Sequence, residues 1–136
     1  MTRVTLTVYG RPAPKGSLRG LGKGRMVESN EHVMPWREAI KAAALAQPVR
    51  DLDGPLVVTV VLTVAKPLRT KDLYPITRAS GDVDKHLRCV LDALQDAGTI
   101  VDDARVVWSS VCKWWPGQAF DSLDQPGAVI TVEQWD

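Results

Sequence analysis

The run Val57-Val58-Thr59-Val60-Val61-Leu62-Thr63-Val64 constrains this chain more than any other stretch. Eight β-branched or aliphatic residues without polar alternation fit a strand covered on both faces, so the chain must supply a sheet around it and helices to cover it. The rest of the sequence offers both. Residues 3–9 alternate with period two, placing Val4, Leu6 and Val8 on one face of a strand. Ser29 or Asn30 can cap a helix running to about Gln47, with Trp36, Ile40, Ala43 and Ala44 at helical spacing, Pro35 in its first turns and Pro48 closing it. A second helix spans Val83 to Ala97, where Val83, Leu87, Val90, Leu91 and Leu94 form an apolar stripe, and Gly98 suits a left-handed C-cap. Residues 105–115 and 127–135 read as two further strands around a Pro116-Gly117 turn. The order β-α-β-α-β-β predicts an α+β fold: a single domain over residues 1–136, with a mixed β-sheet and two helices packed on it.

At 136 residues, 45% apolar and 24% charged, the chain has the composition of a soluble globular protein. It has no apolar run of bilayer-spanning length, and Met1 to Thr5 lack the apolar core of a signal peptide, so a cytoplasmic protein with no membrane partner is expected. Cys89 and Cys112 then read as reduced thiols. The net charge of +1 hides an asymmetry. Residues 1–50 hold nine Lys/Arg against three Asp/Glu, whereas residues 100–136 hold two against six. Two segments without periodicity carry much of the positive charge. One, ending near Asn30, bears Lys15, Arg19, Lys23 and Arg25; the other, from Lys66 to Ser80, bears Arg69 and Lys71. Either could be a solvated loop, but Gly with Lys/Arg in two separate places favours contact with a polyanion, and these six residues are the candidate DNA contacts.

The acidic residues gather elsewhere. Gly81-Asp82-Val83-Asp84-Lys85, Leu91-Asp92-Ala93-Leu94 and Val101-Asp102-Asp103 bring five aspartates into one short window. Carboxylates repel one another and resist burial, so gathering them favours a hard cation such as Mg²⁺ or Mn²⁺. Each pair also has a plainer role. Asp82 is a good N-cap, Asp84 in the first turn complements the helix dipole, and Asp102-Asp103 suit a polar turn. Asp92 and Asp96 fall on the polar side of the helix, as solvated residues, as partners for Arg88, or with Asp92 anchoring a neighbouring loop. A helix of about fifteen residues is about 22 Å long, which puts Asp82/Asp84 and Asp102/Asp103 at opposite ends of a rod. They converge only if the chain after Gly98 folds back or a second subunit supplies one pair.

The run from Gly81 to Leu94, the later Asp102-Asp103-Ala104-Arg105 and the opening Gly10-Arg11-Pro12-Ala13-Pro14-Lys15-Gly16-Ser17-Leu18-Arg19 resemble the RusA family of Holliday-junction resolvases, common in phages and prophages. The resemblance covers nearly the whole chain. It implies a homodimer of small α+β subunits acting on branched DNA with Mg²⁺ or Mn²⁺, in a bacterial cell or an infected host. It also implies catalytic, metal-holding carboxylates at Asp82, Asp84 and Asp103, with Asp102 beside them. The family's essential basic residue falls on Arg88, where many members have lysine, and Lys85 stands where many have asparagine. Arginine keeps the charge without the point-like ammonium, so Lys85 is expected to share the role of phosphate clamp.

The chemistry this implies is metal-assisted phosphodiester hydrolysis, with Lys85 or Arg88 against the phosphate. A DNA-binding module that has kept the fold and lost the chemistry is the alternative, and a small-phosphoester hydrolase is a third reading that the basic segments oppose. His86 and Cys89, three apart on a helix, could ligate zinc, but with only His32 and Cys112 elsewhere a packing role fits Cys89 better. Trp108 and Trp114 share a strand face and Trp115 points away, as core or dimer-interface residues, with base stacking by Trp115 the remaining option.

Overall fold

The computed structural model describes residues 2–15, 18–20, 26–28 and 31–135, the last two short segments before residue 31 by their backbone alone. The β-branched run forms β4 (Leu56–Thr63), and it lies inside a four-stranded sheet with β1 (Thr2–Tyr9), β5 (Val106–Trp114) and β6 (Gly127–Gln134). The strand order is β1-β6-β4-β5. β6 pairs antiparallel with both β1 and β4, while β4 and β5 run parallel, so the sheet is mixed as expected. Parallel strands need a crossover, and α2 (Val83–Asp96) provides it. The other helix, α1 (Val33–Leu45), precedes β4.

Leu6, Ile130, Val60 and Val111 stand in one row across all four strands. On that face, Val4, Leu6 and Val8 of β1, Leu56, Val58, Val60 and Leu62 of β4, and Ala128, Ile130 and Val132 of β6 are buried in one core. Trp36, Ile40 and Ala44 of α1 and Cys89, Val90, Ala93 and Leu94 of α2 cover them. The even-numbered alternation of β1, visible in the sequence, is therefore the core-facing set.

Several expectations shift. The basic stretch expected to be a loop contains a hairpin, β2 (Leu18–Gly20) paired antiparallel with β3 (Met26–Glu28). Three-residue strands are too short to show a period, which is why the pattern hid them. Helix α1 starts at Val33 with His32 at its N-cap and no side-chain cap bond; Ser29 and Asn30, the expected caps, lie outside the described residues. The apolar stripe of α2 is rotated. Val83 is exposed and Leu87 and Leu91 pack only at the margin, because the face that meets the sheet is His86, Cys89, Val90, Ala93 and Leu94. His86, a polar residue on that face, is fully buried.

The C-terminal end of α2 follows the sequence signal closely. Gly98 has φ +74°, its N–H bonds to Gln95 O at 3.0 Å, and Thr99 N–H bonds to Leu94 O at 3.0 Å. That is a Schellman motif, which needs a residue at ease in the left-handed region. Among the described residues no helix is long and apolar enough to cross a membrane.

Candidate active site

Asp82 stands at the N-cap of α2 and Asp84 in its first turn, both exposed. Asp84 stands in the first turn, where its charge complements the helix dipole as the plain reading held, whereas Asp82 makes no side-chain cap bond. Its carboxylate lies 3.6 Å from Lys85 Nζ, with 64% of the side chain exposed. No side-chain hydrogen bond or ion pair among the described residues engages Asp84 or Arg88, and Arg88 is exposed too. Asp82, paired with Lys85, and Asp84 thus stand at the opening of α2, with Arg88 one turn further along.

The turn that delivers Asp82 is held from three sides. A 3₁₀ turn over Arg78–Ser80 leads into Gly81, whose φ of +81° and ψ of 157° lie where an L side chain is strained. A Cβ there would meet His86 Nε2 at 2.6 Å and Pro14 Cγ at 2.7 Å. His86 Nε2 donates to the Ser80 carbonyl at 2.7 Å; a carbonyl only accepts, so this nitrogen carries the proton. Nδ1 is buried without a partner among the described residues, and burial pulls the imidazole's pKa below its ordinary value, which favours the neutral ring. Lys113, from β5, donates to Ser80 Oγ at 2.8 Å and to Gly81 O at 2.6 Å. Desolvation lowers its pKa and the nearby Asp82 charge raises it again.

The other acidic pair stays at the far end of α2. Asp103 N–H bonds to Gln95 Oε1 at 2.9 Å, in the last turn of the helix, and the Asp102 carboxylate accepts from Ala104 N–H at 2.9 Å within a 3₁₀ turn. Asp102 is therefore a turn cap, as its plain reading held, and Asp103 is exposed. The chain after Gly98 does not fold back. It is pinned where it emerges, by Asp51 N–H to Gly98 O, Leu52 N–H to Thr99 O and Val101 N–H to Leu52 O. With α2 about 21 Å long, one chain does not unite the two pairs, and no cluster of three metal-capable side chains occurs among the described residues.

The remaining candidates are distributed unevenly. Lys15 is held at 3.0 Å by Asp92, so Asp92 anchors a neighbouring segment as one sequence reading had it, while Arg37 of α1 takes Asp96. Arg88 partners neither, because Lys15 and Arg37 reach that flank first. Arg69 and Lys71 are exposed on the segment after β4. Arg19 lies in β2, and Lys23 and Arg25 fall outside the described residues. A cleft of about 300 Å³ is lined by Arg11, Lys66, Thr77, Ser80 and Trp115, placing basic groups beside the acidic turn. Trp115 is buried with its Nε1–H on Asp72 O at 3.0 Å, which excludes it as an exposed stacking platform. Trp108 is 63% exposed.

Sequence reasoning missed Lys113, Ser80 and the structural part of His86. The signal for Lys113 was present: the one charged residue of its strand, in register with Leu62. For His86 the signal was its spacing of three, four, seven and eight from Cys89, Val90, Ala93 and Leu94.

A mixed sheet carrying two helices, with exposed aspartates at the start of α2 and in the 3₁₀ turn beyond its end, defines a small α+β protein. Residues 10–133 match the family described as Endodeoxyribonuclease RusA, and the chain belongs to that family of endodeoxyribonucleases. A comparison with curated proteins gives no match.

Proposed function

We propose that the protein is a metal-dependent, structure-specific endonuclease that resolves Holliday junctions and other branched DNA, and that it works as a homodimer whose sites are shared between subunits. One observation carries this reading. Asp103 lies just before β5 begins, and Lys113, which grips the Asp82 turn, lies near where β5 ends. The strand therefore spans the same gap as α2, and it is the edge of the sheet. Its most exposed stretch is Val107 to Ser110, with Val107 61% and Trp108 63% exposed. A long edge with apolar side chains invites pairing with another chain. A two-fold axis at the centre of that stretch, between Trp108 and Ser109, sets each residue opposite its counterpart across the axis. Asp103 of one subunit then comes opposite Trp114 of the other, next to the Lys113 that holds the turn before Asp82.

Hydrolysis of a phosphodiester at neutral pH needs an activated water and neutralised charge on the phosphate. The donor set fits a hard cation: three exposed carboxylates, of which Asp84 and Asp103 have no side-chain partner among the described residues and Asp82 has Lys85 at the long distance of 3.6 Å. Mg²⁺ or Mn²⁺ held there would supply Lewis acidity and lower the pKa of bound water. The chain's own groups do the rest. Arg88 and Lys85 offer positive charge to the scissile phosphate at the helix opening, and Arg11 and Lys66 line a basic cleft alongside it. Flanking DNA arms meet Arg69 and Lys71, so binding weakens with salt.

The test is incubation of the purified protein with a four-way junction and Mg²⁺. Paired nicks that disappear in Asp84→Asn support the nuclease. Junction binding without cleavage by the wild type supports the binding module, and turnover of small phosphoesters without junction cleavage contradicts both.

A further inference from the structure

We propose that Lys113 is a positioning residue for the nuclease site, setting the place of the Asp82 carboxylate from the edge strand; this rests on the endonuclease reading above. Lys113 stands on the core-facing side of the sheet, in the row of Val8, Ala128 and Leu62, all of which are buried. A lysine in such a row loses hydration, and an apolar residue would pack there at less cost. Its ammonium meets no carboxylate within ion-pair distance among the described residues. Two of its three donors go to neutral oxygens, Ser80 Oγ at 2.8 Å and Gly81 O at 2.6 Å.

Those two acceptors belong to the two residues immediately before Asp82. Ser80 Oγ in turn lies 2.9 Å from Pro75 O and 2.7 Å from Thr77 O, and the Ser80 carbonyl is taken by His86. On the other side of Asp82, its own carbonyl accepts from His86 N–H at 3.0 Å in the first turn of α2. The backbone is thus fixed on each side of Asp82, while its exposed side chain has only Lys85, at 3.6 Å, as a partner among the described residues. Without Lys113, the Gly81 carbonyl loses its only partner among the described residues. Glycine has the widest backbone freedom of any residue, so Gly81 is the link most able to relax. A displacement of about 1 Å at a reacting centre costs about a hundred-fold in rate.

A second consequence follows from where Lys113 sits. It ties the acidic turn to β5, so whatever covers the edge of β5 also stiffens the turn that holds Asp82.

The experiment compares wild type, Lys113→Met, Lys113→Arg and Ser80→Ala as full-length protein. Three quantities are read: Mn²⁺ affinity without DNA by electron paramagnetic resonance, junction affinity in EDTA, and the single-turnover cleavage rate as a function of Mg²⁺. Circular dichroism confirms the fold of each. For Lys113→Met the expected result is weaker Mn²⁺ binding by several-fold and a higher half-saturating Mg²⁺. Cleavage falls about ten- to a hundred-fold, while junction affinity in EDTA changes less than two-fold. Lys113→Arg recovers part of the loss, and Ser80→Ala, which folds with less disturbance, shows a smaller loss of the same kind. An unchanged Mn²⁺ affinity and Mg²⁺ dependence in Lys113→Met and Ser80→Ala overturns the inference. So does a loss confined to junction affinity, which would make Lys113 a DNA contact. A wild type that neither binds Mn²⁺ nor cleaves overturns the nuclease reading itself.

Discussion

Gly81→Ala isolates the turn that presents Asp82. At φ +81° and ψ 157° the backbone occupies a region open essentially to glycine, at a cost of about 1–3 kcal/mol for alanine. The new methyl would also sit 2.6 Å from His86 Nε2 and 2.7 Å from Pro14 Cγ. Neither neighbour is the loose end of a flexible side chain. His86 is fully buried and bonded to Ser80 O, and Pro14 is a ring next to Lys15, whose N–H bonds to Lys85 O at 3.1 Å. Overpacking of this kind costs about 1–3 kcal/mol more. The total of about 2–6 kcal/mol is a large share of the roughly 5–15 kcal/mol that stabilises a domain. Gly98→Ala is the control, with φ +74° and nothing within 4 Å of the added carbon, so it incurs only the backbone cost of about 1–2 kcal/mol. In urea at an m-value of about 2 kcal/mol/M, Gly81→Ala should lower the midpoint by about 1–3 M and Gly98→Ala by about 0.5–1 M. Equal midpoints for the two variants would refute the claim that His86 and Pro14 clamp this turn.

Two further outcomes follow from the same packing. Burial holds the His86 pKa below its ordinary value, so the unfolded ring takes up a proton near pH 6.5 that the folded ring refuses. Stability in EDTA should therefore be full above pH 6.5 and fall as the pH drops towards the folded value, with a slope of up to about 1.4 kcal/mol per pH unit; urea melts of His86→Gln should lack that component, and an unchanged slope would contradict it. If the proposed homodimer pairs through β5, Trp108→Lys should weaken it by about 2 kcal/mol or more, about thirty-fold in Kd by sedimentation, with little change in the monomer's thermal midpoint because the side chain is already 63% exposed. A variant that stays dimeric would remove β5 as the interface.

The sequence made the layers legible and the details of α2 less so. Val57 to Val64 announced a central strand because a period-free β-branched run has few other uses, and Gly98 announced the helix end because few residues tolerate its φ. Val83, by contrast, belonged to the expected stripe and is exposed, since hydrophobicity alone does not say which margin of an amphipathic face meets a sheet. His86 was weighed only as a zinc ligand with Cys89, although a neutral histidine with one donor satisfied can be buried. The hairpin of β2 and β3 was too short to carry a period. For the site, the residue types and their spacing were readable, and so was the obstacle of the intervening helix. What pattern could not supply was the tertiary link from Lys113 to Gly81, because contacts between β5 and the start of α2 leave no trace in local periodicity.

The shared site is tested most directly by mixing two inactive proteins. Asp84→Asn and Asp103→Asn should each fail to nick a four-way junction. If each site takes Asp82 and Asp84 from one subunit and Asp103 from the other, a dimer of one variant with the other has one fully intact site and one doubly broken one. Mixing with subunit exchange should then restore nicking, to about a quarter of the wild-type density of sites at equal amounts and random pairing. If all three carboxylates acted within one subunit, every site in the mixture would still carry a lesion, and no activity would return.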